Sequence, residues 1–214
     1  MLAFDTAGSA CSVAIGCEDA VLASERQEMR HGHAEALLPM VDRVGRAAGI
    51  APREIGVVGV TVGPGGFTGI RAGLAAAHGL AQAAGAQLAG ISSFTAVAAA
   101  VAPDGATLLV ALDSRREDLY VQLFAANGTS LGEPAAILPR RLPDLISDGA
   151  VVVAGDAADA AVAALGGRAR ALSDTAPDAH GVLAALRRWP ERTDPWARPL
   201  YLRPPDVSFP KARG

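Results

Sequence analysis

The hydrophobic positions of this chain fall into short runs of two periods, and their order predicts an α/β protein. Residues 1–7 are apolar up to Asp5. Residues 11–17 alternate, with Ser12 and Ala14 on one face and Val13 and Ile15 on the other, and residues 20–27 follow after a turn at Glu18-Asp19. These read as three short strands. From about His31 to Ala48 the period becomes helical, with an apolar stripe of Ala34, Leu37, Leu38, Val41, Val44 and Ala48. Pro39 inside that run should kink or delay the helix, and Gly49 supplies its stop. Val57 to Val62 is a buried strand, a glycine-rich loop follows at residues 63–69, and Ile70 to Ala84 is a second helix. Gln87 to Ile91 is another strand. Ser92-Ser93 can cap a third helix that runs to about Val101. The first unit is therefore βββαβαβα.

The pattern then restarts. Residues 102–105, Ala-Pro-Asp-Gly, form a turn and a boundary between subdomains at 1–102 and 103–214. Thr107 to Asp113 is an apolar strand ending in aspartate, Leu119 to Phe124 alternates, and Asn127-Gly128 signals a hairpin into a third strand over Ser130 to Ile137. Asp5 precedes Val13-Ala14-Ile15 by the same interval as Asp113 precedes Val121-Gln122-Leu123, so the βββ unit is repeated. A short helix near Leu142 to Ile146, a strand over Val151 to Gly155, and helices near Ala157 to Leu165 and Ala179 to Trp189 continue the second, less regular unit. Pro199 to Arg203 reads as extended.

The loop between strand and helix, GPGGFTG at Gly63–Gly69, is the strongest local signal. Glycines there let backbone approach closely, and the following helix offers free N–H groups. It is not a Walker A loop, because Gly69 is followed by Ile70 and Arg71 and the one lysine is Lys211. The Rossmann spacing fails at Phe67. Read structurally, Pro64 and Gly65-Gly66 make turns, Phe67 buries as an anchor, and Thr68 caps the helix. The helix carries small residues at Gly69, Gly73, Ala76, Ala77 and Ala83. Such a face either seats the helix on its own sheet or lets a partner helix come close.

Composition narrows the function. Of 214 residues, 50% are hydrophobic and 19% charged, which is ample for buried cores, and a formal net charge of −3 argues against capture of nucleic acid by the protein's own field. Arg198, Arg203, Lys211 and Arg213 make the tail locally basic, a solvated tail or an RNA contact. Cys11 and Cys17 are the only cysteines. Six residues of strand would hold them about 20 Å apart, too far for a disulfide, so they are expected as reduced core thiols of a cytoplasmic protein. No signal peptide is expected, because Asp5 interrupts the first apolar run. The alanine-rich stretch over residues 72–101 carries His78, Gln82 and Gln87 and reads as soluble. His31 and His33 would stand roughly 200° apart on a helix, poor chelating geometry, so no metal site is expected. The nucleophile elbow of serine hydrolases is absent.

Two tandem βββαβαβα units, each opening on strand–Asp–hairpin, resemble the actin/hexokinase/Hsp70 ATPase superfamily, with its ribonuclease H-like units. The segments LAFDTAGSACSVAI, HGHAEALLPMV, GVTVGPGGFTGIRAGLAAAHGLA, LLVALDSRREDLYVQLF and PLYLRPP resemble, more narrowly, the TsaB (YeaZ) family, with Thr61 to Leu80 the most specific. The resemblance implies a non-catalytic subunit for threonylcarbamoyladenosine synthesis at position 37 of tRNAs reading ANN codons. Implied partners are a TsaD-like catalytic subunit and a TsaE-like ATPase, with a homodimer when alone, tRNA contacted only indirectly and no membrane. It further implies that the first two helices form the interface, through Leu37, Leu38, Val41, Gly69, Gly73, Ala76 and Ala77. In the superfamily, ATP lies between two small-residue hairpins, each with a nearby aspartate that organises a metal. The first hairpin here fits, with Asp5, Thr6, Gly8 and Ser9 as candidate nucleotide-binding residues. The second, Ser114-Arg115-Arg116-Glu117 after Asp113, has no glycine. Asp5 and Asp113 can equally be hairpin turn residues, and no bound cofactor is expected, with ATP or ADP only at a partner interface. The competing enzyme readings are an ATP-dependent phosphotransferase and an M22-type metallopeptidase.

Overall fold

The computed structural model describes residues 1–101, 105–146, 149–173 and 175–203. The turn at 102–104, part of the proposed boundary, and the basic tail beyond 203 with Lys211 and Arg213 lie outside them. The first unit contains β1 (Leu2–Asp5), β2 (Ala10–Cys17), β3 (Ala20–Glu28), α1 (His33–Ala48), β4 (Val57–Thr61), α2 (Phe67–Ala84), β5 (Gln87–Ile91) and α3 (Ser93–Ala100). The second contains β6 (Thr107–Asp113), β7 (Leu119–Phe124), β8 (Ala135–Ile137), β9 (Val151–Ala154), α4 (Ala158–Leu165), β10 (Ala169–Ala171) and α5 (Ala179–Arg188). A 3-10 segment at Pro139–Leu145 takes the place α1 has in the first unit.

The sheets are ordered β3-β2-β1-β4-β5 and β10-β9-β6-β7-β8, the same topology twice. In each, the first strand pairs antiparallel with the hairpin strand and parallel with the fourth. Alternation along β1 and β2 sends side chains to two different cores. Leu2, Phe4, Val13 and Ile15 pack with Leu37, Met40 and Val44 of α1 and Ile70 and Leu74 of α2. Ala3 and Ala14 face the opposite way, into a central cluster with Phe94 of α3, Val182 and Leu183 of α5, and Leu108 and Val110 of β6. Leu109, Ala111 and Val153 point away from that cluster, under α4 and Leu142. The layers run α1/α2, first sheet, α3/α5, second sheet, α4. Small residues on the middle faces permit this: a Cβ on Gly59 would sit 2.8 Å from Leu186 Cδ1, and one on Gly181 would sit 2.6 Å from the Ala96 carbonyl. The last helices cross over. α3 packs on β6 and β7, whereas α5 packs on β1, β2 and β4.

Several expectations need correction. The third strand of the second unit is only Ala135–Ile137, with an isolated bridge from Phe124 to Ser130. Beside the bridge the Leu131 N–H still donates to the Leu123 carbonyl, and the Gln122 amide donates to Ser130 Oγ and the Gly132 carbonyl. β10 carried no apolar signal because it is a three-residue edge strand centred on exposed Arg170. Cys17 is exposed while Cys11 is buried: the cover over β2 ends at Gly16, and Cys17 is the last residue of the strand, at the turn into β3. Gly66, not Thr68, is the N-cap of α2, and Phe67 stays on the surface. α1 starts at His33, because Gly32 takes φ 88°, and it continues through Pro39. The segment 199–203 adds no strand, though the Leu200 N–H donates to the Val62 carbonyl. Among the described residues no helix is long and apolar enough to cross a membrane.

Candidate functional site: the inter-hairpin cleft

The β1–β2 and β6–β7 hairpins face each other across a cleft of about 850 Å³. Ala7, Gly8 and Ser9 form one wall, residues 113–116 the other, and Pro64–Phe67, Asp156 and Leu200–Arg203 complete the lining.

The first hairpin is held from behind by the glycine loop. The Gly66 N–H donates to the Ala7 carbonyl at 2.8 Å, and Thr6 Oγ1 donates to the Gly69 carbonyl at 2.8 Å. A Cβ on Gly65 would overlap the Ala7 carbonyl, and one on Gly69 the Thr6 carbonyl. The glycines therefore bring α2 against its own hairpin. Gly73 faces Thr6 as well.

Asp5 and Thr6 are fully buried and lie beneath the cleft; Gly8 and Ser9 line it. Asp5 Oδ1 accepts from Thr61 Oγ1 at 2.5 Å and from the Ala7 N–H at 3.2 Å, while Oδ2 has no hydrogen-bond partner. Burial pushes its pKa up to about 6, against the hydrogen bonds from Thr61 and the turn amides.

The second hairpin closes on itself. Asp113 Oδ1 accepts from the Arg115 N–H at 2.7 Å, an aspartate turn, and Ser114 Oγ donates to Asp118. Asp118 is buried and paired with Arg203. Arg115 has φ 60°, a conformation that glycine adopts without cost. From there its guanidinium crosses the cleft and donates to the Gly8 carbonyl at 3.1 Å. The glycine-free hairpin thus places a side chain where an approaching phosphate would need bare backbone. Sequence reasoning missed this latch, although Arg115 itself stood out; the hidden signal was a positive-φ position filled by arginine. Asp156 was also missed. It follows β9 as Val62-Gly63 follows β4, and it accepts from the Asp113 N–H at 2.9 Å.

The residues expected at a partner surface are divided. Leu37, Gly69, Gly73 and Ala77 are buried within the chain's own fold, Val41 and Ala76 are half-buried, and Leu38 is 52% exposed. Phe67 lies at the cleft mouth, 5.3 Å from the Tyr201 ring, with the Arg71 guanidinium 3.8 Å from its ring centre. Among the described residues no three His, Cys, Asp or Glu side chains gather as metal ligands.

Two units of identical strand order, with a cleft between their first hairpins, define the actin/hexokinase-like ATPase fold, and solved structures of that class superpose on this chain. The family model described as TsaD, tRNA N6-adenosine threonylcarbamoyltransferase, matches residues 22–169. An uncharacterized protein of Mycobacterium bovis is 33% identical over 97% of this chain and 93% of its own. Escherichia coli TsaB, a tRNA threonylcarbamoyladenosine biosynthesis protein, is 35% identical over 56% of this chain and 52% of its own length. YeaZ from Pseudomonas aeruginosa superposes with a TM-score of 0.79 at 28% identity, covering 94% of this chain and 98% of that one. The chain belongs to the TsaB/YeaZ family.

Proposed function

We propose that this chain is a non-catalytic subunit in threonylcarbamoyladenosine synthesis at position 37 of ANN-reading tRNAs, acting by binding a TsaD-like catalytic subunit. The names carried by its relatives support the pathway. The observation that carries the non-catalytic reading is the Arg115 latch on Gly8, in a hairpin with no glycine between Asp113 and Asp118. A phosphate clamp works through bare backbone N–H groups on both sides. Here one side is an arginine side chain bonded to the other hairpin. The rival phosphotransferase would have to use Asp113 and Asp156, which line the same cleft, after displacing that arginine.

The partner surface is assigned to the outer side of α1 and α2. Of the 18 residues in α2 only Arg71 is charged, and Ala75 and Ala83 are exposed beside half-buried Ala76. With Leu38 and Val41 of α1 this makes an apolar surface that calls for a cover. Leu37, Gly69, Gly73 and Ala77 support it from beneath. Alone, the chain covers the surface with a second copy; a TsaD-like subunit replaces that copy. A TsaE-like ATPase joins this pair, tRNA contact is indirect, nucleotide binds only where partners meet, and the assembly works in the cytoplasm. The test is Ala76→Arg, which should weaken partner binding roughly 5- to 150-fold, the effect of about 1–3 kcal/mol of overpacking. A folded mutant that elutes as wild type and still captures the TsaD-like subunit would move the interface elsewhere.

A further inference from the structure

We propose that residues 193–203 form a detachable strap, which closes one wall of the inter-hairpin cleft and comes away as a unit while both cores stay folded. Access to the cleft floor at Val62 and Gly63 is set by this strap. The inference does not depend on the partner assignment.

The strap starts at a firm anchor. Trp189, which follows α5, is buried, and its ring lies against Gly128, where a Cβ would overlap it. The Arg192 guanidinium donates to the Gly128 carbonyl. Beyond that point the chain leaves the second unit and runs along the first. Asp194 and Gly90 exchange two backbone hydrogen bonds of 2.8 Å, an isolated antiparallel bridge on the outer edge of β5. Ala197 sits on Gly90, where a Cβ would be 2.7 Å from the Ala197 Cα. The Leu200 N–H donates to the Val62 carbonyl at 2.8 Å, and a Cβ on Gly63 would be 2.8 Å from the Leu200 carbonyl oxygen. Tyr201 packs on Phe67, and its hydroxyl accepts from Arg71 Nε at 3.2 Å. The chain then returns to the second unit, where Arg203 pairs with buried Asp118. Residues Leu200 to Arg203 thereby bridge the two units and line the cleft.

These fasteners are almost all polar. Of residues 193–203 only Ala197 is buried, and none lies in a helix or a strand. A segment with few buried apolar contacts opens at a lower free energy than the core it lies on. The two units are joined behind the cleft by the central cluster around α3 and α5, so they stay together without the strap. Pro195 and Pro199 fix two backbone φ angles and stiffen the segment, so its fasteners are lost together. Detachment takes Leu200 to Arg203 out of the cleft wall and bares the Val62 carbonyl and the edge of β5 at Gly90. Gly90 is the informative site. Its N–H belongs to β5 but donates to the strap, so it should open with the strap and not with its own strand.

The experiment measures native-state hydrogen exchange of the full chain by NMR, with thiol labelling as a second reading. The amides of Gly90, Asp194 and Leu200 should be protected and exchange through one common opening, at least about tenfold faster than amides of the central strands β1 and β6. Tyr201→Ala removes the contacts with Phe67 and Arg71 and should speed all three roughly tenfold, the effect of one lost hydrogen bond to a charged group, with β1 and β6 unchanged. Val62 is buried beside Gly90 and Ala197, so Val62→Cys in a Cys17→Ser chain places a thiol under the strap. Its labelling should accelerate by the same factor, while buried Cys11 stays unlabelled on that timescale. The proposal is overturned if the three amides show no protection, if they exchange only together with the core, or if Gly90 follows its β5 neighbours instead of Leu200. It is equally overturned if Tyr201→Ala leaves the three exchange rates, or the Val62→Cys labelling rate, unchanged.

Discussion

Replacing Asp5 by asparagine should change how stability depends on pH. Asp5 is fully buried, and its pKa is about 6 in the folded chain against 3.8 for an ordinary aspartate. The folded state therefore holds this proton more tightly than the unfolded state. Stability supplied by the protonated carboxyl is complete below pH 4 and is lost as pH rises through 6, because above that value the fold must bury an anion. A shift of this size corresponds to about 3 kcal/mol. Asparagine stays neutral throughout. Its Oδ1 can still accept from Thr61 and the Ala7 N–H, whereas its amide replaces an oxygen that already lacks a partner. That unpaired amide adds a roughly constant cost of about 1–3 kcal/mol. Urea unfolding of both proteins from pH 4 to pH 8 isolates the effect, since groups that titrate the other way, such as Glu25 beside Arg43, cancel in the difference. Wild type should lose roughly 2–2.5 kcal/mol relative to Asp5→Asn between pH 4 and pH 7.5, the rest of the effect lying below pH 4. A difference that is flat with pH, or that moves in favour of wild type as pH rises, would refute the burial argument.

Two glycines of α2 should respond oppositely to alanine. Gly69→Ala drives a Cβ into the Thr6 carbonyl and should cost about 1–3 kcal/mol or more by thermal unfolding, whereas Gly79→Ala, with open space around it, should be neutral or stabilise by up to about 1 kcal/mol. The purified chain should release no phosphate from ATP above a no-enzyme control; release that Asp113→Ala abolishes would favour the phosphotransferase reading. Removing the Arg203 side chain by Arg203→Ala strands Asp118 and should destabilise the β6–β7 hairpin by about 1–3 kcal/mol, less than a fully buried pair would cost because Arg203 is one-third exposed. Denaturant midpoints of the two proteins at pH 7 check this.

Much of the fold was legible because burial on both faces writes clear periods. β5, β6 and β7 have the bounds read from their apolar runs, and the repeated Asp5 and Asp113 intervals match two sheets of one topology. What escaped was set by tertiary context. The three-residue β10 depends on pairing with β9, and the exposed end of β2 depends on where its cover stops, which alternation does not encode. The glycine loop was legible as a close approach, but the sequence left open what it approaches: Thr6 and Ala7 of the first hairpin. Of the small-residue stripe on α2, Gly69, Gly73 and Ala77 face inward and Ala76 lies nearer the surface, a difference of phase that one helical period cannot assign without knowing where the sheet lies. The cleft's decisive feature, Arg115 reaching Gly8, joins residues more than a hundred positions apart.

The central claim is that this chain supports threonylcarbamoyladenosine synthesis through its helix surface without catalysis of its own. The most direct measurement is the threonylcarbamoyladenosine content of bulk tRNA, by nucleoside mass spectrometry, in cells depleted of the chain and complemented with variants. The account predicts that the modified nucleoside falls on depletion, returns with wild type and with Asp113→Ala, and does not return with folded Ala76→Arg. An unchanged level on depletion would contradict the role itself, and rescue by Ala76→Arg but not by Asp113→Ala would place the function in the cleft instead of on the helices.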